Sequence, residues 1–162
     1  MNIFYLDKEP FVCAEYHYDS HINKMILESA QMMSTAIWEL SPVLAKSLYD
    51  NGKCYKPTHK NHPCSIWVRS SEKHWVWLKM LVYYLNAEKK RRFHTGDHKS
   101  YNLVWQLPYF DELPNNGFVE PPMAMPKHLH TDDVVLSYRN YYMTEKRNMA
   151  SWKTREKPEW WK

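Results

Sequence analysis

The sequence predicts an all-α protein, a compact single-domain helical bundle of residues 1–162 with long irregular loops. Only three of the 162 residues are Gly, which argues against a barrel or sandwich built from many tight turns. Residues 11–40 contain neither Gly nor Pro. In residues 71–93 the apolar side chains recur every three or four positions, as they do on one face of a helix. The length suits one hydrophobic core.

Local patterns predict the elements of the N-terminal third. Residues 2–6 are short and apolar, which is typical of a brief strand or of an anchored arm. Pro10 suits the first turn of a helix. Asp19 and Ser20 favour the cap of a second helical piece. Pro42 then interrupts the helical pattern.

Further helices are expected along the rest of the chain, at 43–49, 71–93, 97–107 and 131–150. Cations at Lys89–Arg92 suit the end of the second of these, and Thr95-Gly96 is expected to close it. The segments expected to be irregular are 53–65, 108–127 and the basic, Trp-rich tail 151–162. Five Pro in 108–127 favour a loop that wraps the surface.

The composition excludes several functional classes. A net charge of +4 permits a polyanionic partner without requiring one. No GxGxxG or GxxxxGK[ST] motif is present, so nucleotide cofactors of those classes lack support, and we expect no cofactor. The first ten residues reach charged positions too early to predict a signal peptide, and no apolar run approaches the about 20 residues of a membrane span. An odd number of cysteines, three, without a CxxC motif favours a reducing cytoplasm.

A polar stripe on the first long helix is the best candidate active site. At about 100° per residue, His21, Lys24, Glu28 and Gln31 lie within about 80° of one another, beside the apolar face. A carboxylate at the rim of a core is partly desolvated, which suits general acid–base chemistry near neutral pH. The alternative interpretation is an ordinary surface ion pair between Lys24 and Glu28, which are four residues apart.

Cysteine and histidine residues suggest a second kind of site. Two clusters hold the possible ligands: Cys13, His17 and His21, then His59, His62 and Cys64. Together they imitate a zinc site, but neither cluster has a standard zinc spacing, so we predict no metal.

Residues 56–63 form a polar loop stiffened by two prolines. Such a loop presents His59, Asn61 and His62 from a fixed base, as binding loops do. The alternative is a surface loop that caps the next helix.

Basic and aromatic residues alternate in two segments, 89–94 and 152–162. Cations neutralise phosphates, and aromatic faces stack on exposed bases. The alternative is a solvated helix end, followed by a tail whose Trp side chains pack on the core.

The chain resembles a group of small bacteriophage proteins across nearly its whole length. The shared motifs are IFYLD, D-x-H-x-x-K-M-x-L-E-x-A-Q, T-H-x-N-H-P-C-S-I-W, H-K-S, A-M-P, Y-R-x-Y-Y and P-E-W-W. They stand here at Ile3–Asp7, Asp19–Gln31, Thr58–Trp67, His98–Ser100, Ala124–Pro126, Tyr138–Tyr142 and Pro158–Trp161.

More distantly, the layout resembles the phage pyrimidine-dimer DNA glycosylase of the endonuclease V type. That family has an all-helical single domain whose first long helix carries a His and, seven residues later, the catalytic Glu. His21 and Glu28 have the same spacing. An aromatic, basic C-terminus also resembles Lys157–Lys162. The resemblance implies the same type of helical fold.

The resemblance implies an enzyme that binds double-stranded DNA, flips out a base and acts on that base or its N-glycosidic bond. Glu28 would stabilise a cationic sugar or imine intermediate and assist proton transfer, with His21 and Lys24 beside it. The residues expected to bind the substrate are Gln31, His59, Asn61, His62, Lys99, Arg139, Tyr142 and Trp160.

The chain departs from the glycosylases at the nucleophile. They use the α-amine of a small second residue, which removal of Met exposes. Asn2 disfavours that removal, so the first amine would be that of Met1. Lys24 is a conceivable substitute amine.

Two alternatives remain open at this point. The first is a DNA base-hypermodifying transferase that couples a free amino acid to an activated 5-hydroxymethyl pyrimidine, as in thymine hypermodification, with Glu28 deprotonating the amine. The second is a non-catalytic anti-defence module that binds DNA or protein. In each case we expect a monomer in the host cytoplasm, away from membranes.

Overall fold

Seven α-helices and no strand make up the computed structural model, which describes residues 1–162. The helices are α1 (Pro10–Tyr16), α2 (Asp19–Leu40), α3 (Pro42–Asp50), α4 (Pro63–Arg69), α5 (Glu72–Phe93), α6 (Lys99–Gln106) and α7 (Val134–Met143). Short 3-10 turns cover Lys127–Leu129 and Arg147–Met149. The all-α prediction is therefore confirmed.

The two 22-residue helices, α2 and α5, pack against each other and form the centre of the fold. Together with the shorter helices they enclose one cluster of 33 buried apolar residues. Burial of that apolar surface is the main stabilising contribution, at roughly 25 cal/mol per Å². One continuous core agrees with the single-domain prediction.

Helix α5 begins and ends with local caps. The Ser71 hydroxyl accepts a hydrogen bond from the backbone N–H of Lys73. The helix ends at His94, which adopts the left-handed conformation with φ of 53°. The expected closure by Thr95-Gly96 is therefore wrong by one residue, since His94 itself reverses the chain direction.

Other boundaries also differ from the predictions. Helix α4 lies partly in the segment expected to be irregular, because Pro63 occupies its first turn and the His62 ring caps it. Helix α7 ends at Met143 rather than near residue 150. Asp19 does not cap α2; its carboxylate instead accepts from the backbone N–H of Lys153.

Both termini pack on the core. Residues 2–6 form an anchored arm without strand pairing, and Ile3–Leu6 are each at most 3% exposed. In the tail, the Trp152 indole donates to the carbonyl of Tyr16 at 3.0 Å, so the Trp-rich segment packs on the core. No helix is both long enough and apolar enough to cross a bilayer.

Candidate active site

Glu28 lies on α2 at the rim of the core, with its side chain 15% exposed. One carboxylate oxygen, Oε2, lies 3.6 Å from the terminal ammonium of Met1 and accepts a 3.1 Å hydrogen bond from the backbone N–H of Asn2. The other oxygen, Oε1, lies 3.9 Å from Lys24 Nζ. The carboxylate thus joins the start of the chain to the first long helix.

The side chain of Asn2 fixes the arm in this place. Its amide donates to the carbonyl of Ala124 at 3.0 Å. Its Oδ1 accepts from the Tyr138 hydroxyl at 3.1 Å and from the Ile3 N–H at 2.7 Å. Burial raises the pKa of Tyr138, so this hydroxyl stays protonated and donates. A polar residue at position 2 therefore has a structural role.

The main chain is the more exposed part of Met1. The Met1 side chain is only 2% exposed, yet the residue as a whole is only partly buried. The remaining exposed area therefore belongs to the main chain, while the thioether stays in the core.

His62 lies within electrostatic range of the amine and the carboxylate. Its Nδ1 accepts a 3.1 Å hydrogen bond from the backbone N–H of Cys64, so the neutral ring carries its proton on Nε2. Burial and then the positive charge of the terminal amine lower the pKa of His62, whereas Glu28 raises it. His62 is consequently a neutral hydrogen-bond donor at neutral pH.

Cys64 completes the inner side of this cluster. Its Sγ lies 3.9 Å from Asn2 Oδ1. Burial raises the pKa of the Cys64 thiol to about 11, so the thiol is protonated at neutral pH. This protonation excludes Cys64 as an activated thiolate, since the thiolate is the nucleophilic form.

Two of the predicted residues, Lys24 and His62, lie near Glu28. Lys24 forms the expected ion pair, and His62 lies within electrostatic range. His59 and Asn61 are exposed in the same turn, where His59 adopts φ of 47° and its Nδ1 bonds the Thr58 hydroxyl. Gln31 is partly buried, one turn farther along α2.

His21 and Tyr142 lie instead in the core. The His21 ring stacks on Phe4 at 4.5 Å, and its Nδ1 bonds the Tyr142 hydroxyl at 2.7 Å. Burial lowers the pKa of His21 to about 3. Neither ring forms a hydrogen bond with Glu28, because the anchored arm passes over His21. Their contacts are those of an aromatic core.

Arg139 and Trp160 hold the termini together. Arg139 donates to the carbonyl of Leu6 at 2.9 Å and pairs with Asp7 at 3.0 Å. Its guanidinium lies 5.2 Å from the centre of the Trp160 ring. Lys99 is exposed at the start of α6 and has no contact with the Glu28 cluster. These residues support the arm or lie outside the cluster.

Sequence reasoning missed the contact of the Met1 amine with Glu28 and the hydrogen bonds of the Asn2 side chain. Their contacts join residues separated by 26 to 136 positions, so no local pattern reveals them. The only local indication was the apolar arm at 2–6, whose burial predicts that the first residues are fixed.

The structure contains no candidate metal site, and no similar protein was found. No set of three or more His, Cys, Asp or Glu side chains is arranged to hold a metal ion. Comparisons with protein-family models, curated proteins and solved structures found no match.

Proposed function

We propose that this protein is a DNA glycosylase-like enzyme that acts on a flipped nucleobase or its N-glycosidic bond. The single observation that carries the proposal is the α-amine of Met1, 3.6 Å from the half-buried Glu28 carboxylate. An amine beside a carboxylate supplies a nucleophile and a proton acceptor at one point. The resemblance to the phage pyrimidine-dimer glycosylases supports the same pairing.

The reaction follows from these two groups. Glu28 takes one proton from the terminal ammonium and gives it to the departing base. The amine nitrogen forms a bond to C1′ of the sugar, and the C1′–N bond to the base breaks, with its electron pair going to the base. Glu28 then takes a second proton from the same nitrogen and passes it to O4′ as the sugar ring opens. The product is an imine between the protein and C1′.

Removal of Met1 would still leave an α-amine at Glu28, that of Asn2. The backbone nitrogen of Asn2 lies 3.1 Å from the same carboxylate oxygen. If Met1 were removed, the new α-amine would be that nitrogen. Either form of the chain therefore presents an amine at Glu28.

Polar and cationic side chains around the amine suit a DNA backbone. Lys24 is 53% exposed, and the exposed side chains of His59 and Asn61 project from the neighbouring turn. Cations and amide donors of this kind position phosphates without reading sequence. Substrate binding by these residues, with double-stranded DNA as the partner, is part of the proposal.

The test uses an abasic duplex, because its free C1′ aldehyde forms the imine whatever the natural target base is. Borohydride reduces an imine to a stable amine, so the wild-type protein should become covalently attached to the DNA. Glu28→Gln should lower the rate of trapping by about 10²-fold or more, since it removes the proton acceptor. Duplexes carrying pyrimidine dimers or 5-modified pyrimidines then test for base release.

Two variants separate the terminal amine from other amines. A short N-terminal extension should abolish trapping, and the same extension at the C-terminus should leave it unchanged. Lys24→Gln should also leave it unchanged. If trapping is lost with Lys24→Gln and not with the N-terminal extension, the nucleophile is Lys24 and not the terminal amine. Mass gain on 5-hydroxymethyl pyrimidine DNA supplied with a free amino acid, without trapping, would indicate the transferase instead.

A further inference from the structure

Five aromatic rings in successive contact cross α1, α5 and α6, and we call them the aromatic row. Ring centres lie 5.5 Å apart for Phe11 and Tyr84, 5.1 Å for Tyr84 and Tyr83, 5.6 Å for Tyr83 and Trp105, and 5.7 Å for Trp105 and Tyr101. Phe11, Tyr83 and Trp105 are 50%, 41% and 48% exposed. Contiguous exposed apolar surface is a common feature of interaction sites.

The surface around the aromatic row is cationic. Helices α5 and α6 carry seven cations. Arg92 is buried and pairs with Glu88, and the other six are at least partly exposed: Lys73, Lys79, Lys89, Lys90, Arg91 and Lys99. The acids of α5 are Glu88, which is buried against Arg155, and Glu72 in the first turn. Helix α6 contains no acid, and Asp97 lies between the two helices. Lys90 pairs with Asp97 at 3.1 Å, and the other five of these cations have no acidic partner, so the two helices carry an excess of positive charge.

Cations and rings also share the same depressions. Lys79 Nζ lies 5.2 Å from the centre of the Trp105 ring. Tyr83, Tyr101 and Lys90 line a cavity of about 330 Å³ together with Asn86 and Asp97. A second cavity, of about 190 Å³, is lined by Lys53, Lys99, Asn102 and Gln106, among others. Each of the two rings of α6 thus has an ammonium group of α5 nearby, Lys79 at Trp105 and Lys90 at Tyr101.

We propose that the aromatic row and its cations bind single-stranded nucleic acid. Unpaired bases stack on aromatic side chains, whereas the faces of bases in a duplex are covered by their neighbours. The ammonium groups neutralise the phosphates between stacked bases. None of these side chains contacts the Glu28 cluster, so this surface is separate from the proposed active site. Binding at the aromatic row is independent of the glycosylase-like activity.

The test measures the affinity of the protein for a fluorescein-labelled oligothymidylate of about twelve nucleotides, by fluorescence anisotropy at low salt. The wild-type protein should bind the single strand more tightly than the same sequence in a duplex. Tyr83→Ala and Trp105→Ala should each weaken single-strand binding about tenfold or more, because each removes a stacking face. Lys79→Gln should weaken binding and reduce the salt slope by about 0.7.

Matched controls make the result specific. Tyr49→Ala removes another exposed ring that also has a lysine, Lys56, over its face at 5.9 Å, and it should not change binding. Trp105→Phe keeps a stacking face and should retain most of the affinity.

Three outcomes would overturn the proposal. The first is equal affinity for duplex and single strand, and the second is an equal effect of Tyr49→Ala and Trp105→Ala. The third is concentration-dependent self-association of the wild type that Trp105→Ala abolishes, which would assign the row to a second copy of the chain. Circular dichroism and thermal melting of each variant show that it is folded.

Discussion

Asn2→Leu tests whether the second residue holds the arm in place. The change keeps a side chain of similar size and removes three hydrogen bonds, to Ala124, Tyr138 and Ile3. Each is worth about 0.5–1.5 kcal/mol, so the free energy of unfolding should fall by about 2–4 kcal/mol. Tyr138 still donates to the carbonyl of Pro122 at 2.7 Å and is not left without a partner.

Urea unfolding followed by circular dichroism measures this loss, and thermal melting should show a Tm lower by roughly 2–4 °C per kcal/mol. Asn61→Leu is the matched control, because the Asn61 side chain is exposed and forms no hydrogen bond. The Asn2 variant should also trap abasic DNA more slowly, since the amine is no longer fixed at Glu28. A change in unfolding free energy of less than about 0.5 kcal/mol would refute the reasoning.

Three further predictions concern charge. Arg155→Met leaves Glu88, which is 5% exposed, without one of its two arginine partners. The free energy of unfolding, measured by urea titration, should therefore fall by about 3 kcal/mol. An unchanged urea midpoint would mean that the tail contributes no stability. Lys24→Gln should change the free energy of unfolding by less than about 0.5 kcal/mol, because Lys24 in the Lys24–Glu28 ion pair is 53% exposed. A loss above about 1 kcal/mol would contradict a surface ion pair. Burial lowers the pKa of His17 to about 4 and that of His21 to about 3. Below pH 6.5 these two histidines therefore become protonated in the unfolded chain while they stay neutral in the folded chain. Stability should therefore fall as the pH drops from 6.5 toward 4, by up to about 1.4 kcal/mol per pH unit for each histidine, and His21→Asn should flatten that slope.

Local periodicity was sufficient for the long elements. Helices α2 and α5 have apolar faces that repeat every three or four residues, and their existence follows from that repeat. The same wheel placed Glu28 at the rim of the core, where the structure has it half-buried. Helix α4 was partly missed because seven residues are too few for a clear period, and its cap is a histidine ring.

The remainder of the site depends on contacts that are distant in sequence. His21 belongs to the core because Phe4, from the arm, covers its ring. Arg139 is committed to Leu6 and Asp7, more than 130 positions away. The sequence pattern of α2 or α7 alone carries no information about the arm that packs on both. The pairing of Met1 with Glu28 has the same origin.

Peptide mapping of the borohydride-trapped adduct tests the central claim most directly. The protein is trapped on an abasic duplex and digested, and the residue that carries the sugar remnant is identified by mass spectrometry. The remnant should lie on the α-nitrogen of the first residue, Met1 or, if Met1 has been removed, Asn2. A remnant on Lys24 or on another lysine, or no adduct at all, would contradict the pairing of the terminal amine with Glu28 as the reactive site.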